Sequence, residues 1–303
     1  MKSIVIGQGV QGRKRLACLG DEVVATVDPI SSEAQYRQIE EVPRERYDAA
    51  MVCTPDSVKL GILRYLLRQG KHVLVEKPLI GESLGDLEEL EILARQNKVA
   101  CYTAYNHRFE PHILNLKKAI ETGRLGLIYS ARFFYGNGTA RDVRNSPWRD
   151  KGFGVLPDLG SHLLDMILFL FGKVEGPCRI WRADTFENQA FDRVIFGFQG
   201  SFPIDCDITM LSWRNTFQAD VYGEQGSAHI NGLCKWGPST LTVRKRKFPS
   251  GVPDEESMTL ACQDPTWELE YGHFKSLCSF AGTNIENDVW IQSKLQELIS
   301  TLP

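Results

Sequence analysis

IVIGQGVQGRKR, residues 4–15, places Gly7, Gly9 and Gly12 at G-x-G-x-x-G spacing directly after an apolar run. The first glycine permits a tight turn, the second lets backbone approach a pyrophosphate, and the third lets a helix pack closely on the strand. Val10 and Gln11 then stand at the helix N-terminus, whose free N–H groups and positive dipole end suit a phosphate. A second apolar run, VVATVD (23–28), ends in Asp28, where a carboxylate can accept hydrogen bonds from a ribose. Gly7, Gly9, Val10, Gln11, Gly12 and Asp28 therefore read as a dinucleotide site. A carboxylate at 28 repels a 2′-phosphate, so NAD is expected as the cofactor. NADP stays possible through Arg13, Lys14 and Arg15, which otherwise read as solvated residues of the first helix.

Working outward, AAMVCT (49–54), HVLVEK (72–77) and VACYTAY (99–105) repeat the short, valine-rich apolar pattern of buried parallel strands. Helical patterns lie between them, such as 56–70, with Leu60, Leu63, Leu66 and Leu67 on one face and Gly70 as a stop. Strand and helix alternating in this way predict a doubly wound Rossmann domain over 1–120. After a helix at 112–126 the texture changes to long, aromatic, alternating segments at 128–136, 178–186, 193–213, 217–232 and 239–248. With helices at 161–172, 265–282 and 286–301, they predict an α+β domain over 121–303 with a large open, mainly antiparallel sheet, helices on one face and the other face wet or an oligomer interface. The basic run VRKRKF (243–248) fits the wet side of an edge strand.

Composition narrows the function classes. The chain has 303 residues, 43% of them hydrophobic, and its 35 basic and 38 acidic side chains leave a net charge of -3. Such a balance gives no field for nucleic acid or a membrane surface, so neither is expected as a partner. No apolar run is long enough for a signal peptide or a membrane span, which predicts a cytoplasmic protein. Eight scattered cysteines, without C-x-x-C pairs or histidines at zinc-finger spacing, suggest neither disulfides nor a metal.

LVEKPL (74–79) ends a predicted strand with Glu76 and Lys77, and Pro78 turns the chain at the edge where doubly wound sheets hold ligands. Far along the chain, VLPDLGSHLLD (155–165) sets Asp158 four residues before His162, with Asp165 three further on. If Asp158 opens and caps a helix, His162 projects from its first turns. Histidine exchanges protons near neutral pH, and a nearby carboxylate can tune it.

GQGVQG, VD, CTPDS (53–57), EKP and DLGSH followed by Asp165 occur together in the order and rough spacing of the Gfo/Idh/MocA group, which includes glucose-fructose oxidoreductase and inositol dehydrogenase. The resemblance covers essentially the whole chain. It implies an NAD(P)-dependent dehydrogenase or reductase acting on a secondary alcohol or ketone of a sugar, polyol or sugar derivative, as a homodimer or homotetramer joined through the open sheet. It implies that Thr54 and Pro55 run along the cofactor, with Glu76 and Lys77 near the nicotinamide ribose and Asn106 lining the same cleft. Lys77 would contact the substrate hydroxyl, Asp158 would orient substrate, and His162 would be the general acid or base. Trp148 and Arg149 resemble a loop that enters the substrate pocket, although Gly152, Phe153 and Gly154 stand where many relatives have three glycines. Arg108, Arg141, Arg144 and Arg149 could serve the diphosphate of a nucleotide-linked or otherwise anionic sugar or be merely solvated, and free sugar and inositol stay open as substrates. A dinucleotide-binding sensor without catalysis, and redox-assisted elimination of glycosides, stand as alternatives.

Overall fold

The computed structural model describes residues 1–146 and 149–302. By its contacts the chain forms two compact units, one of residues 1–106 with 267–292, the other of 107–266 with 293–303. The division falls earlier than residue 120, and a late segment returns to the first unit.

The first unit contains β1 (Ser3–Ile6), α1 (Val10–Leu19), β2 (Val23–Val27), β3 (Ala49–Val52), α2 (Asp56–Arg68), β4 (His72–Glu76), α3 (Leu84–Gln96) and β5 (Cys101–Ala104). All five strands are parallel, in the order β2-β1-β3-β4-β5. The strands are continuously apolar because both faces are covered. Ile4, Ile6, Val52, Val73 and Val75 pack on Leu63, Leu66, Leu87 and Leu90, while Val5, Met51 and Leu74 share the opposite layer with Tyr271 and Phe274. Each such buried aliphatic contributes about 1.5–3 kcal/mol. The order reverses direction at β1, so the C-terminal ends of β1 and β3 form the switch point where ligands bind in this architecture.

The second unit contains α4 (Pro111–Glu121), β6 (Ile128–Gly136), α5 (Ala140–Arg144), α6 (Ser161–Phe171), β7 (Cys178–Asp184), β8 (Arg193–Gln199), β9 (Pro203–Thr209), β10 (Thr216–Gly223), β11 (Gly226–Asn231), β12 (Ser239–Lys247) and β13 (Gly251–Leu260). Its eight-stranded sheet runs β13-β12-β11-β10-β6-β9-β8-β7, antiparallel except for the β6–β9 pair. The alternation read from sequence is real: Ala131, Phe133, Tyr135, Phe196, Ile208, Phe217 and Ala219 are buried. Arg193, Asp207, Asp220, His229 and Arg244 alternate with such positions and make a polar opposite face, where Arg193 pairs with Asp207 and His229 with Asp220. The expected edge strand is corrected: β12 is covered by β13, whose Glu255 meets Arg244 and whose Asp254 meets Lys247. Two helices close the chain, α7 (Thr266–Cys278) and α8 (Ile285–Ser300). Among the described residues, no helix is long and apolar enough to cross a membrane, and all eight cysteines are free thiols.

Candidate active site

The first unit gathers its predicted site residues at the C-terminal ends of its five strands. Gly7 follows β1 with φ +90°, and its N–H donates to Val27 O at 2.8 Å. A Cβ on Gly7 would come within 2.5 Å of Cys53 O, and one on Gly12 within 1.8 Å of Gly7 O, so only glycine fits either position. Gly9 differs: a Cβ there meets nothing within 4 Å. It caps α1, whose first turn carries no acidic residue, and Val10 and Gln11 beside it are exposed. This is backbone shaped for an anion.

Asp28, past the end of β2, accepts from Gln8 N–H at 2.7 Å and from the Ile30 and Ser31 N–H groups at 2.8 Å. Burial raises its pKa, but these bonds, with Arg37 nearby, outweigh that and hold the carboxyl below the usual carboxylate range. Three of its roughly four acceptor positions are filled, which leaves Oδ2 one lone pair for a ribose hydroxyl. Beyond β3, Pro55 precedes α2, and Thr54 Oγ1 is buried with no hydrogen-bond partner among the described residues. An orphaned hydroxyl, open space at Gly9 and an ionised Asp28 together fit a dinucleotide.

The basic cluster of α1 is corrected by the structure. Arg15 is buried, donates to Glu76 and to Glu270 of α7 at 2.7 Å each, and lies 4.4 Å from the Trp267 ring. Burial opposes its charge, but the two carboxylates overcome that and raise its pKa. Lys14 lies 5.2 Å over Trp267, and Arg13 approaches Glu33 at 4.0 Å. Arg13 and Lys14 remain exposed, as expected, and only Arg15 of the three is buried.

Glu76 ends β4 with one oxygen held by Arg15, and the Lys77–Pro78 peptide that follows is cis. Sequence reasoning missed Lys59, a buried lysine in the first turns of α2. Its Nζ donates to Asp56 Oδ1 at 2.7 Å and to Pro78 O at 2.8 Å, so it tethers the turn that presents half-buried Lys77. A lysine on the core face of an otherwise amphipathic helix was the signal for it. Asn106 follows β5, half-buried, at the start of a 3₁₀ turn.

In the second unit, Asp158 lies in a π-helical turn, Leu156–Gly160, that runs into α6. Such single π turns are frequent at functional sites. Asp158 does not cap the helix as expected: no side chain caps either segment. Its Oδ2 instead faces Arg149 at 3.9 Å. Trp148 lies outside the described residues.

His162 is buried and stacked on His107, centroids 4.1 Å apart and planes 18° apart. Tyr135 of β6 meets both imidazoles edge-on, at 5.3 Å from His107 and 5.9 Å from His162, and packs at 5.6 Å on Trp236. Burial, with the Asp158 charge nearby, pushes the Tyr135 phenol upward, so it stays protonated. His107, Tyr135 and Trp236 escaped the sequence reading, though NHRF (106–109) placed His107 beside a predicted site residue. Arg108 is a correction: it grips buried Asp165 with two nitrogens at 2.6–3.0 Å. Burial raises the Asp165 carboxyl, Arg108 partly offsets this, and the pair fixes α6 rather than a substrate phosphate. Arg141 and Arg144 are exposed on α5.

Comparison with known proteins places both halves. Residues 2–105 match the model of an oxidoreductase family with an NAD-binding Rossmann fold, and residues 113–229 match the GFO/IDH/MocA C-terminal domain. An uncharacterised oxidoreductase of Schizosaccharomyces pombe is 34% identical over 128 residues, 41% of this chain and 34% of that protein. The chain thus spans about a third of that relative's length. The scyllo-inositol 2-dehydrogenase (NAD(+)) of Bacillus subtilis is 24% identical over 291 residues, 91% of this chain and 82% of the enzyme. Among solved structures, levoglucosan dehydrogenase in complex with NADH superimposes with a TM-score of 0.85 over 99% of this chain and 96% of its own, at 16% identity, a likeness of fold. With both of its characteristic domains matched in sequence, the chain belongs to the Gfo/Idh/MocA family of NAD-binding oxidoreductases.

Proposed function

We propose that the chain is an NAD-dependent dehydrogenase that interconverts a secondary alcohol and a ketone on a sugar, polyol or sugar derivative. The observation that carries this reading is His162, buried against His107 and four residues past Asp158 on a widened turn. An acid–base group needs such a held ring beside a carboxylate. The inositol and levoglucosan dehydrogenases it resembles act on substrates of this class.

Bound NAD supplies the two-electron acceptor for oxidation and, once reduced, the donor for the return reaction. Gly7, Gly9 and Gly12 shape the pyrophosphate turn, and Asp28 accepts a ribose hydroxyl while its charge disfavours a 2′-phosphate. Thr54 and Pro55 line the cofactor's path, and Asn106 borders it. Arg15 leaves Glu76 one free oxygen for the nicotinamide ribose. His162 takes the hydroxyl proton of the substrate through a ring nitrogen and returns it in reduction. His107 lies flat on that ring, so a charge on one imidazole opposes a charge on the other. Lys77, its turn tethered by Lys59, stabilises the substrate oxygen as negative charge develops there. Asp158 and Arg149 orient the remaining hydroxyls. The polar face of the large sheet is read as the dimer or tetramer interface, and free thiols throughout suit a cytoplasmic setting.

The test is nicotinamide absorbance with NAD or NADP and a panel of polyols, free sugars and nucleotide sugars, in both directions. Turnover with NAD that His162→Ala lowers by roughly 10²- to 10⁴-fold is expected. Turnover unchanged in that variant removes His162 from the role.

A further inference from the structure

An open cavity of about 550 Å³ at the surface of the second unit is lined by exposed Arg214, Asn215 and Pro238 and half-buried Trp236. That size falls within the roughly 300–1,000 Å³ of small-molecule sites. One wall ties it to the chemistry. Trp236 packs on Tyr135 at 5.6 Å and meets the edge of His107 at 5.9 Å, and both of those rings pack on His162. The cavity therefore lies two ring contacts from the proposed acid–base group, through Trp236 and then Tyr135 or His107.

The loop that carries Arg214 and Asn215 joins β9 to β10 and is held in one shape. Ser212 N–H donates to Asn137 O at 3.0 Å, and Ser212 Oγ–H has Arg214 O at 2.7 Å. Trp213 stands in the left-handed region at φ +60° while 71% exposed, unusual for a bulky residue. It sits against bare backbone, since a Cβ on Gly138 would meet Trp213 C and O at 2.8 Å. Unfavourable backbone geometry over-determined by its surroundings is a common way to aim side chains at a ligand.

The one charged side chain that lines the cavity, Arg214, is positive. Arg214 has no acidic partner among the described residues, whereas Arg108, Arg193 and Arg244 are each committed to a carboxylate. Lys235, behind the cavity wall with its Nζ 5.0 Å over the Trp236 ring, has Glu110 beside it. An indole face can receive the C–H face of a pyranose, an amide can bond its hydroxyls, and an unpaired guanidinium can bind an anion with two parallel donors.

We propose that Arg214, Asn215 and Trp236 form the specificity end of the substrate site and select a sugar bearing an anionic group, a carboxylate or a phosphate. This rests on the dehydrogenase reading above and names its substrate class.

The test is calorimetric binding of glucuronate, glucose 6-phosphate and glucose to the NAD-loaded protein, in the wild type, Arg214→Ala and Arg214→Lys. At least one anionic sugar should bind about 10-fold or more tightly than glucose. Arg214→Ala should weaken it by about 10- to 100-fold and leave glucose within about 2-fold, and Arg214→Lys should recover part of the loss. Preference for glucuronate assigns a carboxylate, and preference for glucose 6-phosphate assigns a phosphate. Equal binding of all three by the wild type, or an anion preference that survives Arg214→Ala, overturns the proposal. Arg214-dependent binding without nicotinamide turnover on any bound sugar supports the anion site and counts against the dehydrogenase reading.

Discussion

At the C-terminal ends of β1 to β4 the chain presents mostly backbone: a turn that admits no Cβ at Gly7 or Gly12, an open Gly9, and an Asp28 carboxylate held by three N–H groups. In the antiparallel unit the candidate site is a largely buried cluster of rings, His107, Tyr135, His162 and Trp236, each from a different element and each in contact with at least two others. Backbone can be shaped for a ligand by few residue types, so that construction fixes its sequence tightly. A ring cluster holds its geometry through packing, which several side chains can supply, and it draws its members from positions far apart in the chain.

The contrast is most easily broken at Gly12. A Cβ 1.8 Å from Gly7 O cannot be absorbed by side-chain movement, so Gly12→Ala should destabilise the first unit by about 3 kcal/mol or more. A melting temperature lower by about 10 °C, or insoluble protein, is expected; a wild-type melting curve would contradict the rigidity of the turn. Gly9→Ala sharpens the point, because the added methyl meets no protein atom within 4 Å. Its melting temperature should stay within about 2 °C of wild type while NAD binding weakens by about 10-fold or more, as read by fluorescence titration of NADH. Unchanged affinity would mean that no cofactor approaches Gly9.

In the ring cluster single changes should be gentler. His107→Phe keeps a flat ring against His162 and removes one imidazole, so turnover should fall about 3- to 10-fold with NAD affinity unchanged. A loss as large as that of His162→Ala would make His107 a direct participant. The smallest effect concerns the docking of α7. Hydrogen bonds from the Tyr271 hydroxyl and then Lys275, against opposing burial, lower the Glu22 pKa from 4.5 to about 2. Because the folded value lies below the unfolded one, the stabilisation is fully present above pH 4.5 and is lost as pH falls toward 2. Glu22→Gln should cost below about 1 kcal/mol at neutral pH and flatten the acid limb of urea-denaturation midpoints across that window. An unaltered acid limb would contradict it.

Legibility followed the same contrast. The five parallel strands, the glycine turn and Asp28 were readable because continuous apolar runs and obligatory glycines leave local marks. The open sheet was readable from alternation, but β13 was not, since its exposed GVPDEESMTL carries no apolar face. Its acids show their purpose only once Arg244 and Lys247 lie opposite. Arg15 looked solvated because its partners, Glu76 and Glu270, are distant in sequence. The return of α7 to the parallel unit left no local mark either, because amphipathicity says that a helix docks and not where. In the candidate site, Asp158 and His162 were marked by spacing, whereas His107, Tyr135, Trp236 and Arg214 become visible only through contacts and a cavity.

The division of labour between the two constructions is tested most directly by measuring NAD affinity and turnover side by side in His162→Ala and Gly9→Ala, on a sugar or polyol the wild type oxidises. The account predicts that His162→Ala keeps NAD affinity within about 2-fold and loses turnover by at least about 10²-fold, while Gly9→Ala loses affinity and recovers most of its turnover at saturating NAD. Retained turnover in His162→Ala, or a collapse of NAD affinity in that variant, would contradict it.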